Sequence, residues 1–254
     1  MPSNVGLEIL WRGNQMLAIN KPAGLAVIPG RGEEWSVLQE LAQQLAIPCV
    51  ETHDPRVRVV HRLDKDTSGV LLFATSADAQ RHLSHQFQNN TIEKQYLALV
   101  SGRPEADEGE INGPLAPHPK SPKRMAIMKH GGRPARTLWK VEERFRDYTL
   151  LRVFPKTGKT HQIRVHLQSI GLPLAIDSLY HAGANAEGIC LSAFKRGYRS
   201  SGDEERPLIS RLTLHAHRLA FVDQANQRIE IEAPLPKDFR AVLNMLRKYS
   251  RSGS

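Results

Sequence analysis

Apolar residues in this chain come in short runs, several of them paired across a polar break, and this pattern limits the fold more than any other feature. Leu7–Trp11 and Met16–Asn20 lie either side of Arg12-Gly13-Asn14. Arg136–Phe145 and Tyr148–Phe154 flank Arg146-Asp147, and Leu212–Val222 precedes Gln227–Glu232. Runs of this kind around tight polar turns predict antiparallel strands and hairpins. Val70–Ala74 is unbroken apolar and predicts a buried strand, while Arg56–Val60 and Gln95–Val100 predict two more. Helical spacing occurs in four places. Ser36–Ala46 carries Val37, Leu38, Leu41 and Leu45 and ends before Pro48. Thr75 and Ser76 can cap a helix reaching about Asn89. Thr160 opens a third that closes at Gly171, and Lys237–Tyr249 forms the last. Residues 101–123 predict a loop with at most one short strand, and 195–206 a polar, flexible loop. With neither a repeat nor a linker in view, the expectation is one mixed α/β (α+β) domain over 1–254, with a largely antiparallel central sheet flanked by helices and loops.

Composition narrows the function classes. The 254 residues hold 35 Lys and Arg against 26 Asp and Glu, so the net charge is 35 − 26 = +9. That excess suggests a polyanionic partner, most simply nucleic acid. Apolar stretches run to about six residues, far short of the roughly 20 that span a bilayer, so no membrane partner is expected. Cys49 and Cys190 are the only cysteines and no CxxC occurs, which suits a reducing compartment. Residues Met1–Glu8 lack a signal pattern, so a cytoplasmic location is expected.

Two polar clusters stand out. His61-Arg62-Leu63-Asp64-Lys65-Asp66-Thr67-Ser68-Gly69 lies between two expected strands, where a loop on a rigid frame can carry a site. A solvated turn explains the same composition, with Asp66, Ser68 and Gly69 supplying the turn chemistry. The second cluster is Thr157-Gly158-Lys159-Thr160-His161-Gln162-Ile163-Arg164-Val165-His166-Leu167. Its Gly-Lys-Thr is not a P-loop, because position 153 is Val where that motif needs Gly. A helix N-terminus beside Lys159 can still hold a phosphate. The pairs His82/His85, His161/His166 and His215/His217 lack metal-ligand spacing, so no metal is expected. No glycine fingerprint or Gly-x-Ser-x-Gly elbow is present.

Four segments together carry a resemblance: Asn20-Lys21-Pro22-Ala23-Gly24-Leu25, then His61–Leu72, then Lys94-Gln95-Tyr96, then Thr157–Leu167. In order and spacing the chain resembles the RluA-type pseudouridine synthases, from about Glu8 to Phe239. The resemblance implies the pseudouridine synthase catalytic fold and an enzyme that isomerises uridine in RNA without cofactor or metal. Carried over by motif, it makes Asp64 the catalytic aspartate, Tyr96 the tyrosine that packs on the uracil and Arg164 the arginine that pairs with the aspartate. Arg62 resembles the arginine that fills the RNA stack where the target nucleotide was. His61, Lys21, Lys159, Lys123 and Arg124 join it as expected RNA contacts. The chain departs from the family at Lys159, where Arg is more usual, and over Ile176-Asp177-Ser178-Leu179-Tyr180-His181, where two glycines are lost. No separate N-terminal RNA-binding domain is expected, since the motifs begin by Lys21.

An aspartate can attack the sugar carbon, attack the base ring, or remove a sugar proton before elimination; the sequence leaves these three paths open. Asp66 competes with Asp64, because residues i and i+2 of an extended segment point the same way. Tyr96 with Leu63 or Ile163 can floor a site that keeps a detached uracil from water. The basic stretch 118–136, with Lys120, Lys123, Arg124, Lys129, Arg133 and Arg136 and no acidic residue, is an expected RNA-backbone contact and lid. The partner expected is rRNA or tRNA, the protein a monomer. The rival classes are a non-catalytic RNA-binding protein and a glycosidase that stops at free uracil.

Overall fold

The computed structural model describes residues 6–30, 35–47, 57–181, 188–195, 197–198 and 205–250. In chain order the elements are β1 (Glu8–Gly13), β2 (Met16–Lys21), α1 (Val37–Gln44), β3 (Arg58–Val59), β4 (Ser68–Ala74), α2 (Ala77–Gln88) and β5 (Glu93–Ser101). Then come β6 (Glu108–Asn112), β7 (Leu115–His118), β8 (Ser121–Ile127), β9 (Arg136–Arg144), β10 (Tyr148–Pro155) and α3 (Gln162–Ser169). The chain ends with β11 (Leu214–Val222), β12 (Arg228–Glu232) and α4 (Lys237–Tyr249). The fold is mixed α+β and its strands are mostly antiparallel. Two compact units share the chain: residues 1–95 with 215–234, and 96–214 with 235–254. No helix among the described residues is long and apolar enough to cross a membrane.

In the first unit, β2 lies between β1 and β4, and β4 also meets β3 and β11. All seven residues of β4 are buried, as its apolar run requires. Met16, Ala18, Val70, Leu72 and Ala74 from these strands pack with Ala79 and Leu83 of α2. Ser76 starts that helix by accepting the Ala79 N–H at 3.1 Å. β4 and β11 run parallel where Ser68 faces His215 and Gly69 faces Ala216. Gly69 has φ 117°, and a Cβ there would sit 2.1 Å from the Ala216 carbonyl oxygen, so no other residue fits.

In the second unit, β10 pairs with β5 and β9, and β6 pairs with β9. From Leu97 to Val100 β5 is apolar because it is buried on both faces. Leu97 and Leu99 pack with Phe239, Val242, Leu243 and Leu246 of α4, while Ala98 and Val100 pack with Ile163 and Leu167 of α3. The α4 residues recur at 3–4-residue spacing, which makes one continuous stripe.

The structure corrects the sequence expectation in three places. The stretch 101–123 holds β6, β7 and the start of β8, not one short strand. β6 is an exposed, polar edge and β8 carries Pro122, Lys123 and Arg124, so neither shows an apolar run. The strand expected over Arg56–Val60 narrows to Arg58–Val59, with Arg56 outside the described residues. The third helix begins at Gln162 rather than Thr160, because His161 adopts a left-handed φ of 54°. Most of the 195–206 loop, like Pro48, lies outside the described residues.

Candidate active site

The loop 61–67 of the first unit is fixed from beneath. On the outer edge of β4, β11 covers Ser68 and Gly69 while β3 covers Phe73 and Ala74. His61 fills the place between: its Nε2 accepts the Leu72 N–H at 2.9 Å, and its ring stacks on Phe87 with centroids 4.5 Å apart. An accepting Nε2 must be unprotonated. Burial, assisted by the charge of Lys94, lowers the pKa of His61 to about 3, which agrees with that role. His61, which the sequence offered as an RNA contact, is therefore a neutral strut beneath the loop.

Lys21 departs from expectation in the same way. Its side chain is fully buried, and Nζ donates to the carbonyl oxygens of Pro22, Lys65 and Thr67 at 2.8, 2.7 and 3.0 Å. A buried ammonium that satisfies three carbonyls is a clamp, not a phosphate contact. It draws the end of β2 onto the far side of the loop, where Gly24 N–H also reaches the Lys65 carbonyl at 3.0 Å. Within the loop, Thr67 N–H closes a turn on the Asp64 carbonyl at 3.1 Å. Ser68 Oγ lies 2.9 Å from His215 Nδ1, whose Nε2 lies 3.2 Å from the Ala233 carbonyl. The carbonyl needs a donor at Nε2, so Nδ1 accepts the Ser68 hydroxyl. On this frame Asp64 is half-buried, while Arg62 and Asp66 are exposed.

The second unit holds a different polar construction. Gln162 and His166, one turn apart on α3, converge on Thr137 Oγ1 at 3.0 and 2.8 Å. Gln162 Oε1 also accepts the Thr157 hydroxyl and the Lys159 N–H at 2.7 and 3.0 Å, which secures the turn before the helix. His166 Nε2 bonds the Gly113 carbonyl at 3.0 Å, and burial lowers its pKa. Arg164 projects from the opposite side of α3. Its Nε and Nη2 form a fork on Asp177 at 2.8 and 2.7 Å, and both residues are buried. Asp177 Oδ1 accepts the N–H groups of Leu179 and Tyr180 as well. Tyr96, on β5, is half-buried against the cluster containing Ile163. Lys123 is exposed on β8, whereas Arg124 and Lys159 are half-buried. Arg136 of the basic stretch is neutralised by Glu110 through two 2.8 Å bonds.

Comparison with known proteins bears on these motifs. Residues 15–169 match the sequence model of the family described as RNA pseudouridylate synthase. The chain belongs to this family. It is 38% identical over 252 residues to the ribosomal large subunit pseudouridine synthase D of Nitrosomonas europaea, an alignment covering 98% of this chain and 67% of the relative. Identity to the ribosomal large subunit pseudouridine synthase D of Neisseria meningitidis serogroup B is 35%, over 97% of this chain and 63% of the relative. With the ribosomal large subunit pseudouridine synthase C of Haemophilus ducreyi it is 34%, over 94% and 69%. The chain thus spans about two thirds of the length of these relatives. A solved human structure, RNA pseudouridylate synthase domain containing 4, superposes with a TM-score of 0.71 at 26% identity, covering 94% of this chain and 93% of that one.

Membership in an RNA pseudouridylate synthase family makes the missed residues informative. Asp177 and Tyr180 stood in the sequence only as a departure from a glycine pattern. Their roles come from space: Asp177 holds Arg164 across a 13-residue separation, which no local spacing could reveal. Among the described residues no group of three His, Cys, Asp or Glu is placed to hold a metal ion.

Proposed function

We propose that this chain is an RNA pseudouridine synthase acting on uridines of large-subunit ribosomal RNA, the substrate named in its relatives. The reaction breaks the bond from the sugar carbon to uracil N1 and forms one to uracil C5, so the C5 hydrogen leaves and N1 gains a proton. The observation that carries the reading is the half-buried Asp64 on a loop braced by Lys21 and His61. A carboxylate that must meet one atom of a flipped nucleotide gains from a pre-set backbone. The burial contrast with exposed Asp66 favours Asp64 over its neighbour.

In this reading Asp64 is the nucleophile or base, Arg164 supports its charge, and Tyr96 packs on the uracil. Exposed Arg62 fills the stack after flipping, which costs a few kcal/mol. Lys123, Arg124 and Lys159 meet the RNA backbone, while Lys21 and His61 serve the loop. Each unit needs a distant stretch of chain, because 215–234 returns to the first and 235–254 to the second. That interleaving supports one catalytic domain; that it works as a cytoplasmic monomer with no cofactor is part of the same proposal.

The test is tritium release from ribosomal RNA and, separately, transfer RNA labelled at uracil C5, with the modified position mapped afterwards. The expected result is release from ribosomal RNA with the base retained in the chain. Free uracil would make the protein a glycosidase, and binding without release a non-catalytic RNA-binding protein. Release from transfer RNA alone would move the substrate.

A further inference from the structure

The second unit contains a polar centre whose Tyr180 and His161 side chains the assignments above do not use. Tyr180 is 4% exposed. Two guanidinium groups lie over its ring, with Arg124 Cζ 5.2 Å and Arg164 Cζ 5.0 Å from the centroid. Its hydroxyl accepts the Met125 N–H at 2.7 Å and lies 2.8 Å from His161 Nδ1. Met125 is the residue after Arg124 on β8, and His161 precedes α3 by one residue. Each arginine is therefore tied to Tyr180 twice, once by the ring face and once through its own backbone segment. Burial keeps the phenol protonated, so both hydroxyl links persist at neutral pH.

The two arginines differ in their counter-charge. Arg164 holds Asp177 through two hydrogen bonds. Arg124 has no acidic partner among the described residues, and its shielded Nε has no acceptor. An aromatic face holds a guanidinium in place without using its in-plane donors. Those donors match two oxygens of a phosphodiester. Exposed Lys120 and Lys123 on the same hairpin add to the local positive field.

We propose that Tyr180 is a positioning residue that holds Arg124 ready for a backbone phosphate of the RNA and, through the same side chain, sets α3 and Arg164. RNA capture by the β7–β8 hairpin is thereby coupled to the Arg164–Asp177 pair. This inference rests on the RNA-modifying reading above.

The experiment is a double-mutant cycle with Arg124→Ala and Tyr180→Phe on the full chain, using a large-subunit rRNA fragment. RNA affinity is measured across salt concentrations, and the single-turnover rate at saturating RNA. Arg124→Ala should lower the salt slope by about one charge. Tyr180→Phe keeps the ring and loses both hydroxyl links. It should weaken binding about fivefold in the wild-type background and not at all beside Arg124→Ala, since coupled residues are non-additive. It should also slow the saturated rate about threefold in both backgrounds, because His161 and α3 are released either way. An unchanged slope in Arg124→Ala overturns the phosphate role. Equal binding losses in both backgrounds overturn the coupling, and an unchanged rate in Tyr180→Phe overturns the link to α3. A wild type that binds the fragment but forms no pseudouridine defeats the functional reading instead, while the binding cycle still judges Arg124 and Tyr180.

Discussion

Lys21 in the first unit and Lys123 in the second carry the same ammonium in opposite circumstances. Lys21 is fully buried beneath the 61–67 loop and its charge is spent on three carbonyl oxygens. Lys123 is exposed on β8, where the hairpin carries further basic residues. Sequence alone treats both as RNA contacts. Burial separates the two: Lys21 shapes the 61–67 loop from within, while Lys123 stays open to solvent.

The largest effect expected is at the carboxylate that the loop presents. Asp64→Asn should reduce pseudouridine formation by at least about a thousandfold while RNA affinity stays within about twofold. Asp66→Asn, at the exposed position of the same loop, should turn over near the wild-type rate. Single-turnover assays on a preparation free of wild-type enzyme measure both. If Asp66→Asn is the dead variant, the burial argument has selected the wrong aspartate.

Next comes the clamp. Lys21→Met keeps the length of the side chain and leaves three carbonyl oxygens without a donor in a place closed to water. A loss of about 3 kcal/mol or more in unfolding free energy is expected, read from the urea midpoint. The variant that folds should also lose turnover more than RNA binding, since the loop that carries Asp64 is what loosens. Unchanged stability would mean that the carbonyls find other partners and that the two lysines do not differ as described.

His61 provides a test by pH. Its folded pKa is lowered from 6.5 to about 3. Above pH 6.5 neither state binds a proton, and the interaction is intact. Between pH 6.5 and about 3 the unfolded chain takes up a proton that the folded chain refuses, so stability falls as pH falls. By pH 5 the loss from this residue is about 2 kcal/mol. Urea midpoints at pH 7, 6 and 5 should converge between the wild type and His61→Gln, because the variant lacks that acid-sensitive component. Parallel curves would show that His61 does not carry it.

These contrasts also mark how far the sequence could be read. Apolar burial was legible: the β4 run and the α4 stripe follow from periodicity alone, and α4 occupies the residues expected. Edge strands were not, because β6 and β8 gain stability from backbone pairing with neighbours and leave polar side chains in water. The start of α3 escaped because Thr160 looks like a cap, whereas Gln162 reaches back to hold the turn and His161 takes the left-handed conformation. Motif residues identified the family and proposed Asp64. The inward use of Lys21 and His61, and the hold of Asp177 on Arg164, depend on which groups the fold brings within 3 Å.

The smallest effect should fall on Lys123, and it is the one that completes the comparison. Its side chain is exposed, so Lys123→Met should change stability by no more than about 0.5 kcal/mol. A lysine that meets a phosphate acts as a point charge without base specificity. Its removal should weaken structured and single-stranded RNA alike by about threefold and flatten the salt slope by about one charge. Arg62→Ala serves as the contrast within the same experiment. If Arg62 fills the stack after the uridine leaves, its loss should harm turnover on structured RNA more than on a single strand, since only the former must be held open. The measurement is kcat/KM and affinity for both variants on both RNAs at two salt concentrations. Lys123→Met losing stability as Lys21→Met does would erase the distinction between clamp and contact. Equal losses on both RNAs for Arg62→Ala, with a reduced salt slope, would place Arg62 beside Lys123 as a backbone anchor.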